Sequence, residues 1–273
     1  MEPRFQRRVQ RYGWDKAAAL YEPAWQRRLA PAQARLLELV AARPGERVLD
    51  VACGTGLVTF PLARAVEPGG QVLGTDLSAA MVDGARGRAA ARGFANVAFE
   101  RMGAEALALE GGSFDLAACS LGLMYVPDSA AAICELHRVL RPGGRVAVLV
   151  WGQRVRCGWA EIFPIVDARV VSEVCPLFFR LGGEGVLERE LDAAGFRNLH
   201  LERMTCTLGF ANDREACVAA FEGGPVALAY ARFDEPTRQA AHIEYLASIA
   251  AYRNGSGYAI PAEFVLAAGS KAY

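Results

Sequence analysis

The residues best placed to do chemistry stand together at 48–56, VLDVACGTG. An apolar run holds an acid, Asp50, near its end, and a turn with Gly54, Thr55 and Gly56 follows. Glycines at such a turn remove the Cβ atoms that would block a ligand. A helix starting beside them aims its unpaired backbone N–H groups at the same space. A second acid, Asp76, lies 20 residues beyond Gly56, at the end of the next apolar run. In an α/β half-domain that binds a nucleotide, an acid there accepts hydrogen bonds from ribose hydroxyls, each contributing about 1.5–3 kcal/mol. Taken singly, the turn reads equally as loop chemistry and Asp76 as a helix N-cap. The pair at this spacing points to a nucleoside-bearing ligand.

The type of ligand follows from what the turn lacks. A dinucleotide turn reads G-x-G-x-x-G, its last glycine letting helix and strand pack closely. Here the frame is Gly54-x-Gly56-x-x-Thr59. Asp50 adds a negative charge that repels a pyrophosphate and suits an ammonium group. The combination turns the reading from NAD toward S-adenosylmethionine, whose methionyl end carries an amine.

Such a site needs a sheet to hold it. Apolar runs at 47–53, 71–77, 97–102, 114–120 and 145–151 read as strands, and 57–66, 78–92 and 129–140 read as helices between them. EPGG at 67–70 and RPGG at 141–144 read as turns that end helices. The alternation predicts right-handed β–α–β units and a mainly parallel sheet covered on both faces. Beyond Gly152 the pattern predicts helices at 158–174 and 187–194 and a strand near 198–207. A helical stretch follows at 212–253, broken at 223–225 and at Pro236, and then a closing strand near 258–268. The first 40 residues read as one or two helices packed on the sheet. The chain 1–273 is therefore expected to be one domain: core at 41–152, 187–210 and 256–273, with helical caps at 1–40, 153–186 and 211–255.

Composition narrows the function classes. Thirty basic and 30 acidic side chains cancel, and 53% of residues are hydrophobic. That excludes intrinsic disorder and argues against a protein that grips a nucleic-acid backbone. No uncharged stretch approaches the about 20 residues of a membrane-spanning helix. The N-terminal MEPRFQRRVQRYGWDK lacks the apolar core of a secretory signal. A cytoplasmic protein without stable membrane insertion is expected. The seven cysteines form no C-x-x-C pair, so neither a zinc site nor a thiol-redox motif is indicated and no metal is expected.

Taken in order, these motifs resemble the class I S-adenosylmethionine-dependent methyltransferases, in particular the group sharing the type 11 methyltransferase domain. The resemblance is good over about residues 40–152 and weaker on both sides. VLDVACGTG is similar to the family's glycine motif, with Ala52 where its first glycine often stands. It implies cofactor contacts at Asp50, Ala52, Gly54, Thr55 and Gly56. GTDLSAAMV (74–82) resembles the ribose-binding segment, with Asp76 as the acid and Leu77 and Met81 on the adenine side. GAEALAL (103–109) resembles the segment that meets the adenine amine. Gly103 stands where the family commonly has an aspartate, so that contact falls to the backbone of Ala104 or to Glu105. CSLGLMYVPD (119–128), with Ser120 and Tyr125, resembles the segment facing the methyl group, and LRPGGRVAVLVW (140–151) the following turn and fifth strand. YGWDKAAALYEPAW (12–25) looks like the family's N-terminal helix, whose tyrosine covers the methionyl end. Tyr21 is that candidate, with Tyr12 and Trp14 next. The resemblance implies a Rossmann-like, doubly wound α/β fold. Its seven-stranded sheet is mostly parallel, with an antiparallel last strand. It also implies in-line methyl transfer to O, N, S or C of a small-molecule acceptor.

In that chemistry the methyl donor is intrinsically reactive, and alignment of the nucleophile can supply about 7–11 kcal/mol. A base is needed only where the acceptor must lose a proton. His242, Tyr245, Ile249 and Tyr252 recur at i, i+3, i+7 and i+10 and share one helical face. Facing a cleft, they would supply a general base in His242 and orienting groups in Tyr245 and Tyr252; facing inward, they are an ordinary core contact. Tyr125 is a candidate for catalysis and substrate contact. Arg180 would bind an acidic substrate or form a plain salt bridge. The rivals are an NAD-linked oxidoreductase, a non-catalytic S-adenosylmethionine-binding module, and RNA or protein as the methylated substrate.

Overall fold

The computed structural model describes residues 3–170 and 177–273. A single helix, α1, runs over Pro3–Val40. Trp25, Leu29, Ala32, Leu36 and Val40 recur three or four residues apart along it and are buried, the stripe of a helix packed on a core. Pro23 and Pro31 lie inside α1 but on its exposed side. Each removes one helical hydrogen bond, at about 3 kcal/mol, and water meets the carbonyls so freed. Burial of the opposite stripe keeps the helix continuous.

The core then alternates as expected. Strands β1 (Arg47–Val51), β2 (Gln71–Asp76), β3 (Val97–Arg101), β4 (Phe114–Ser120) and β5 (Leu140–Trp151) are interleaved with α2 (Thr59–Ala65), α3 (Ala79–Ala91) and α4 (Ser129–Val139). Beyond them come α5 (Ile162–Asp167), α6 (Val186–Ala193), β6 (Phe196–Phe210), α7 (Asp213–Cys217), α8 (Ala227–Tyr230), α9 (Glu235–Ser248), β7 (Arg253–Asn254) and β8 (Gly257–Lys271). The sheet order is β3-β2-β1-β4-β5-β8-β6, with β7 paired on β8. β1 to β5 are parallel. β8 inserts antiparallel between β5 and β6. The fold is the expected Rossmann-like, doubly wound α/β architecture, and the two-residue β7 adds an eighth strand to the seven expected. No helix among the described residues is long and apolar enough to cross a membrane.

Three local expectations change. Helix α2 begins at Thr59 rather than at 57, because the turn before it spends Ala52, Gly54 and Gly56 at positive φ. RPGG does not form a free turn after α4; residues 141–144 lie in the first part of β5, opposite a register shift between Phe114 and Leu116 of β4. The helix expected at 158–174 is confined to Ile162–Asp167, and 171–174 lie outside the described residues.

Beside the end of β5 the chain passes very close to itself. A Cβ at Gly182 would stand 2.3 Å from the carbonyl oxygens of both Trp151 and Gly152. The buried Glu263 carboxylate accepts the Gln153 N–H at 2.9 Å and pairs with Arg203 at 3.1 Å, and Arg203 also donates to the Gly182 carbonyl at 2.9 Å. Backbone cannot retreat here as a flexible side chain can. Gly182→Ala is expected to destabilise the fold by about 1–3 kcal/mol, the usual cost of overpacking, read as a lower urea midpoint with unchanged slope.

Candidate functional site

Beyond the C-terminal ends of β1, β2 and β4 lies a cleft whose empty space, open mouth included, is about 740 Å³. The glycine turn forms one wall. Asp76 organises it: one carboxylate oxygen accepts the Gly54 N–H and the other the Ser78 N–H, both at 2.9 Å. Ser78 in turn caps α3 by accepting the Met81 N–H at 3.1 Å. The N-cap role expected as an alternative for Asp76 thus belongs to Ser78. Tyr21 of α1 lies over the turn, with its ring edge 3.7 Å from where a Cβ of Gly54 would sit. Asp15, also on α1, accepts from the Ser78 hydroxyl at 2.6 Å and the Ala80 N–H at 3.1 Å. These bonds hold the N-terminal half of α1 across the cavity.

Of the residues singled out for the cofactor, Tyr21, Ala52, Gly54 and Asp76 line this cavity. Leu77, Met81, Ala104, Glu105 and Ser120 join them, as does Tyr125. The Glu105 carboxylate is already engaged: it accepts the Asp128 N–H at 3.0 Å and pairs with Arg7 of α1 at 3.4 Å. Asp50, Thr55 and Gly56 are not among the lining residues. Asp50 is 0% exposed behind the turn, where the Thr59 hydroxyl donates to it at 2.6 Å. Its direct meeting with a ligand amine is therefore corrected to a supporting position. A side chain at Gly56 would strike the Phe60 ring, so this glycine serves helix packing rather than ligand approach. Sequence reasoning missed Arg7, Gln10, Leu121 and Gly122 at the cavity. The α1 pair was findable, since 7, 10, 14 and 21 share one helical face.

Burial dominates the electrostatics. It pushes the Asp50 carboxyl up to about 7, against the Thr59 hydrogen bond and with help from the Asp76 charge. It pushes Asp76 up to about 6, against the Ser78 and Gly54 N–H groups that favour its ionised form. Tyr21 is raised well above its ordinary value, by burial first and then by Asp76 and Asp50.

A second, smaller and apolar chamber adjoins the first. Trp14, Tyr21, Leu121 and Tyr125 line both and form the seam between them. Trp25, Trp151 and Trp159 line the second, so all four tryptophans of the chain meet at it. Trp14 stands edge-on to Tyr21 and Tyr125, at 5.6 and 5.0 Å between centroids. Nothing in the sequence pattern joined these dispersed residues.

The late helical face is corrected. The 212–253 stretch breaks near 223–225 and just before Pro236 as expected, where Asp234 caps α9 by accepting the Thr237 N–H at 3.0 Å, but α9 ends at Ser248, short of Tyr252. On α9, Tyr245 is 1% exposed and packs edge-on to Phe221, 5.6 Å away. His242 shares a 2.9 Å hydrogen bond with the Tyr230 hydroxyl and packs on Phe221. Tyr252 belongs to a separate turn and lies against Gly158. None of the three lines either chamber. Arg180 is likewise taken up in an ion pair with Glu190 and a bond to the Ser129 hydroxyl.

With this geometry in hand, the chain can be set beside known proteins. A sequence profile of the ubiE/COQ5 methyltransferase family matches residues 29–174, more than half of the chain. The chain belongs to that family. This methyltransferase is 34% identical over 205 residues to nocamycin O-methyltransferase of Saccharothrix syringae, covering 68% of this chain and 73% of that one. It is 34% identical over 198 residues to demethylmenaquinone methyltransferase of Staphylococcus aureus, covering 71% and 78%. Its fold matches a phosphoethanolamine N-methyltransferase of Haemonchus contortus in complex with S-adenosyl-L-methionine at a TM-score of 0.62 and 20% identity, over 95% of this chain and 57% of that one. The family is S-adenosylmethionine-dependent, and the cavity suits that cofactor. Glycine backbone lies under an aromatic cover, a carboxylate stands at the end of β2, and Ser120 Oγ, on a lining residue, is buried without a partner among the described residues.

Two outcomes follow for the cofactor cavity. Asp76→Ala removes the anchor of the turn and the carboxylate expected to meet the ribose, and should weaken binding of the demethylated product by at least about tenfold in calorimetry, the equivalent of one charged hydrogen bond. The second concerns pH. Carboxyls raised in the fold bind more protons there than when unfolded, so they add stability below about pH 4 that is lost as pH rises through about 6 and 7. The ligand-free protein should lose melting temperature between pH 5.5 and 8. Asp50→Asn should flatten that fall by at least about 2 °C, the shift that about 1 kcal/mol produces at this size.

Proposed function

We propose that this methyltransferase moves the methyl group of S-adenosylmethionine to a small, largely apolar and ring-containing acceptor held in the tryptophan chamber. The observation that carries this reading is the shared wall. Trp14, Tyr21, Leu121 and Tyr125 line both the cofactor cavity and the apolar chamber, so an acceptor in one meets a cofactor in the other across that seam. The relatives named above support it, since both are named for methylation of small molecules. A net charge of zero supports it over nucleic acid.

The cofactor, when bound, supplies an electrophilic methyl on a sulfonium. The chain's own residues do the rest. Asp76 is placed for the ribose hydroxyls, with Leu77 and Met81 beside the adenine and Tyr21 over the methionyl end. The tryptophans exclude water and orient the acceptor's ring, and Tyr125 stands at the seam. Proximity of this kind is the main lever for such a reaction. The described residues lining the chamber are aromatic, aliphatic or glycine, and Tyr21 holds its proton more firmly than usual. The acceptor therefore brings its own nucleophile, as an acidic enol or phenol, an amine or an activated carbon.

Incubation with S-adenosylmethionine and a panel of aromatic phenols and enols should give methylated product by mass spectrometry. Product formed only on RNA or protein would overturn the reading. His242→Ala should keep turnover within about tenfold, whereas loss of a working general base costs about 10²–10⁴-fold. The pH dependence of kcat/KM should move with the pKa of the acceptor when a more acidic one is used.

A further inference from the structure

The outward side of the first turns of α1 has a uniform character. Between residues 4 and 19 the exposed positions are Arg4, Phe5, Arg8, Tyr12, Lys16 and Ala19. Their steps of one, three or four place them on one side of the helix. Phe5 is 45% and Tyr12 48% exposed. The Arg8 guanidinium lies over the Phe5 ring at 5.5 Å, and that of Arg11 over the Tyr12 ring at 5.4 Å. Tyr12, a candidate for the cofactor cover, thus lines neither chamber. The acids nearby are engaged. Asp15, the one acid between residues 3 and 19, accepts from Ser78 and Ala80 of the α3 start. Glu105 pairs with Arg7, and Glu22 with Arg88. Among the described residues Arg4, Arg8 and Lys16 have no acidic partner. With the whole chain at zero net charge, this face is a local concentration of positive charge.

We propose that this outward face of α1 docks the protein reversibly on an anionic lipid bilayer. Clustered basic side chains are drawn to such a surface, and aromatic rings among them settle at the headgroup level. Basic and aromatic groups together also suit a nucleic acid, but the surroundings favour lipid. Val155 stands four residues past the end of β5, 89% exposed between Arg154 and Arg156. Leu177, also exposed, precedes Phe178, whose ring meets Tyr125 at 5.3 Å. Aliphatic side chains offer a base nothing to stack on, whereas lipid takes them up. The inner face of the same helix carries Trp14, Tyr21 and Trp25 of the apolar chamber. A docked α1 therefore holds that chamber about one helix diameter, roughly 10–12 Å, from the lipid. An apolar acceptor dissolved in the bilayer then has only that distance to travel. This advantage rests on the acceptor reading above; the docking itself does not.

The full chain is floated with vesicles of phosphatidylcholine alone and of equal parts phosphatidylcholine and phosphatidylglycerol. It should bind the anionic vesicles at least about tenfold more tightly than the neutral ones, at about fivefold for each basic side chain near the surface. Binding should be lost in 1 M salt, where charges are screened beyond about 3 Å. Arg4→Ser combined with Arg8→Ser should weaken it by at least about tenfold, and Phe5→Ser should weaken it as well. Each variant should bind S-adenosylhomocysteine in calorimetry as the unaltered chain does, which shows the fold intact. Equal binding to both kinds of vesicle, or none to the anionic ones by a chain that still binds S-adenosylhomocysteine, would overturn the proposal. Unchanged vesicle binding by the Arg4/Arg8 double variant would overturn it too. A single-stranded RNA oligonucleotide bound in place of the vesicles, and released by the same substitutions, would give the face to nucleic acid instead. No acceptor is present in these mixtures, so their outcome and that of the acceptor panel are independent.

Discussion

The arrangement hangs on where one carboxylate points. Asp76 ends β2, and its two oxygens take the N–H of Gly54 from the neighbouring turn and the N–H of Ser78 at the start of α3. A single side chain thereby joins two β–α connections whose strands are paired in register from Arg47 to Val51. The turn can adopt positive φ at Ala52, Gly54 and Gly56 because this bond over-determines its course, the usual condition for keeping strained backbone. The cost is a charge held away from water, visible in the raised proton affinity of Asp76 and of Asp50 behind it. On the function proposed above, ribose hydroxyls at Asp76 relieve part of that cost.

The second constraint is the cover. Asp15 fixes α1 to the same Ser78, so the helix is referenced to the carboxylate that organises the turn. Arg7 reaches Glu105, and Glu22 pairs with Arg88 of α3 at 2.6 Å. These are partly exposed pairs, worth little individually. Their value is positional: they set the helix at the height at which Tyr21 meets Gly54 and Trp14 meets Tyr125.

What the sequence made legible divides along a physical line. The β–α alternation, the glycine turn and Asp76 are local patterns, each stated by neighbours within a few residues, and the structure places them as read. The His242 face shows the opposite case. A helical period establishes that His242, Tyr245 and Tyr252 could share a side. It does not say what covers that side, and here Phe221 and Tyr230 do. The period was also extended past the true end of α9 at Ser248, so Tyr252 was grouped with a helix it does not belong to. Asp50 was of the right type in the right strand, but burial behind Thr59 is a tertiary fact with no local signature. The tryptophans at 14, 25, 151 and 159 are far apart along the chain and become one wall only when α1 crosses the end of β5.

On the proposed function, that crossing lets one helix serve two ligands. Arg7, Gln10, Trp14, Tyr21, Trp25 and Leu29 follow steps of three, four or seven residues and so lie on one face of α1. The first four touch the cofactor cavity and the last four the apolar chamber, with Trp14 and Tyr21 common to both. Polarity changes along the same face, from Arg7 and Gln10 to tryptophan and leucine, as the proposed placement of a charged cofactor at one end and an apolar acceptor at the other requires. The helix is therefore a ruler: the two turns between Trp14 and Tyr21 span the seam, about 10 Å at 1.5 Å per residue. A break in α1 there would let the two chambers shift against each other, and alignment is the property that methyl transfer needs most. The prolines at 23 and 31 stand on the exposed side, where they leave this lining face unbroken.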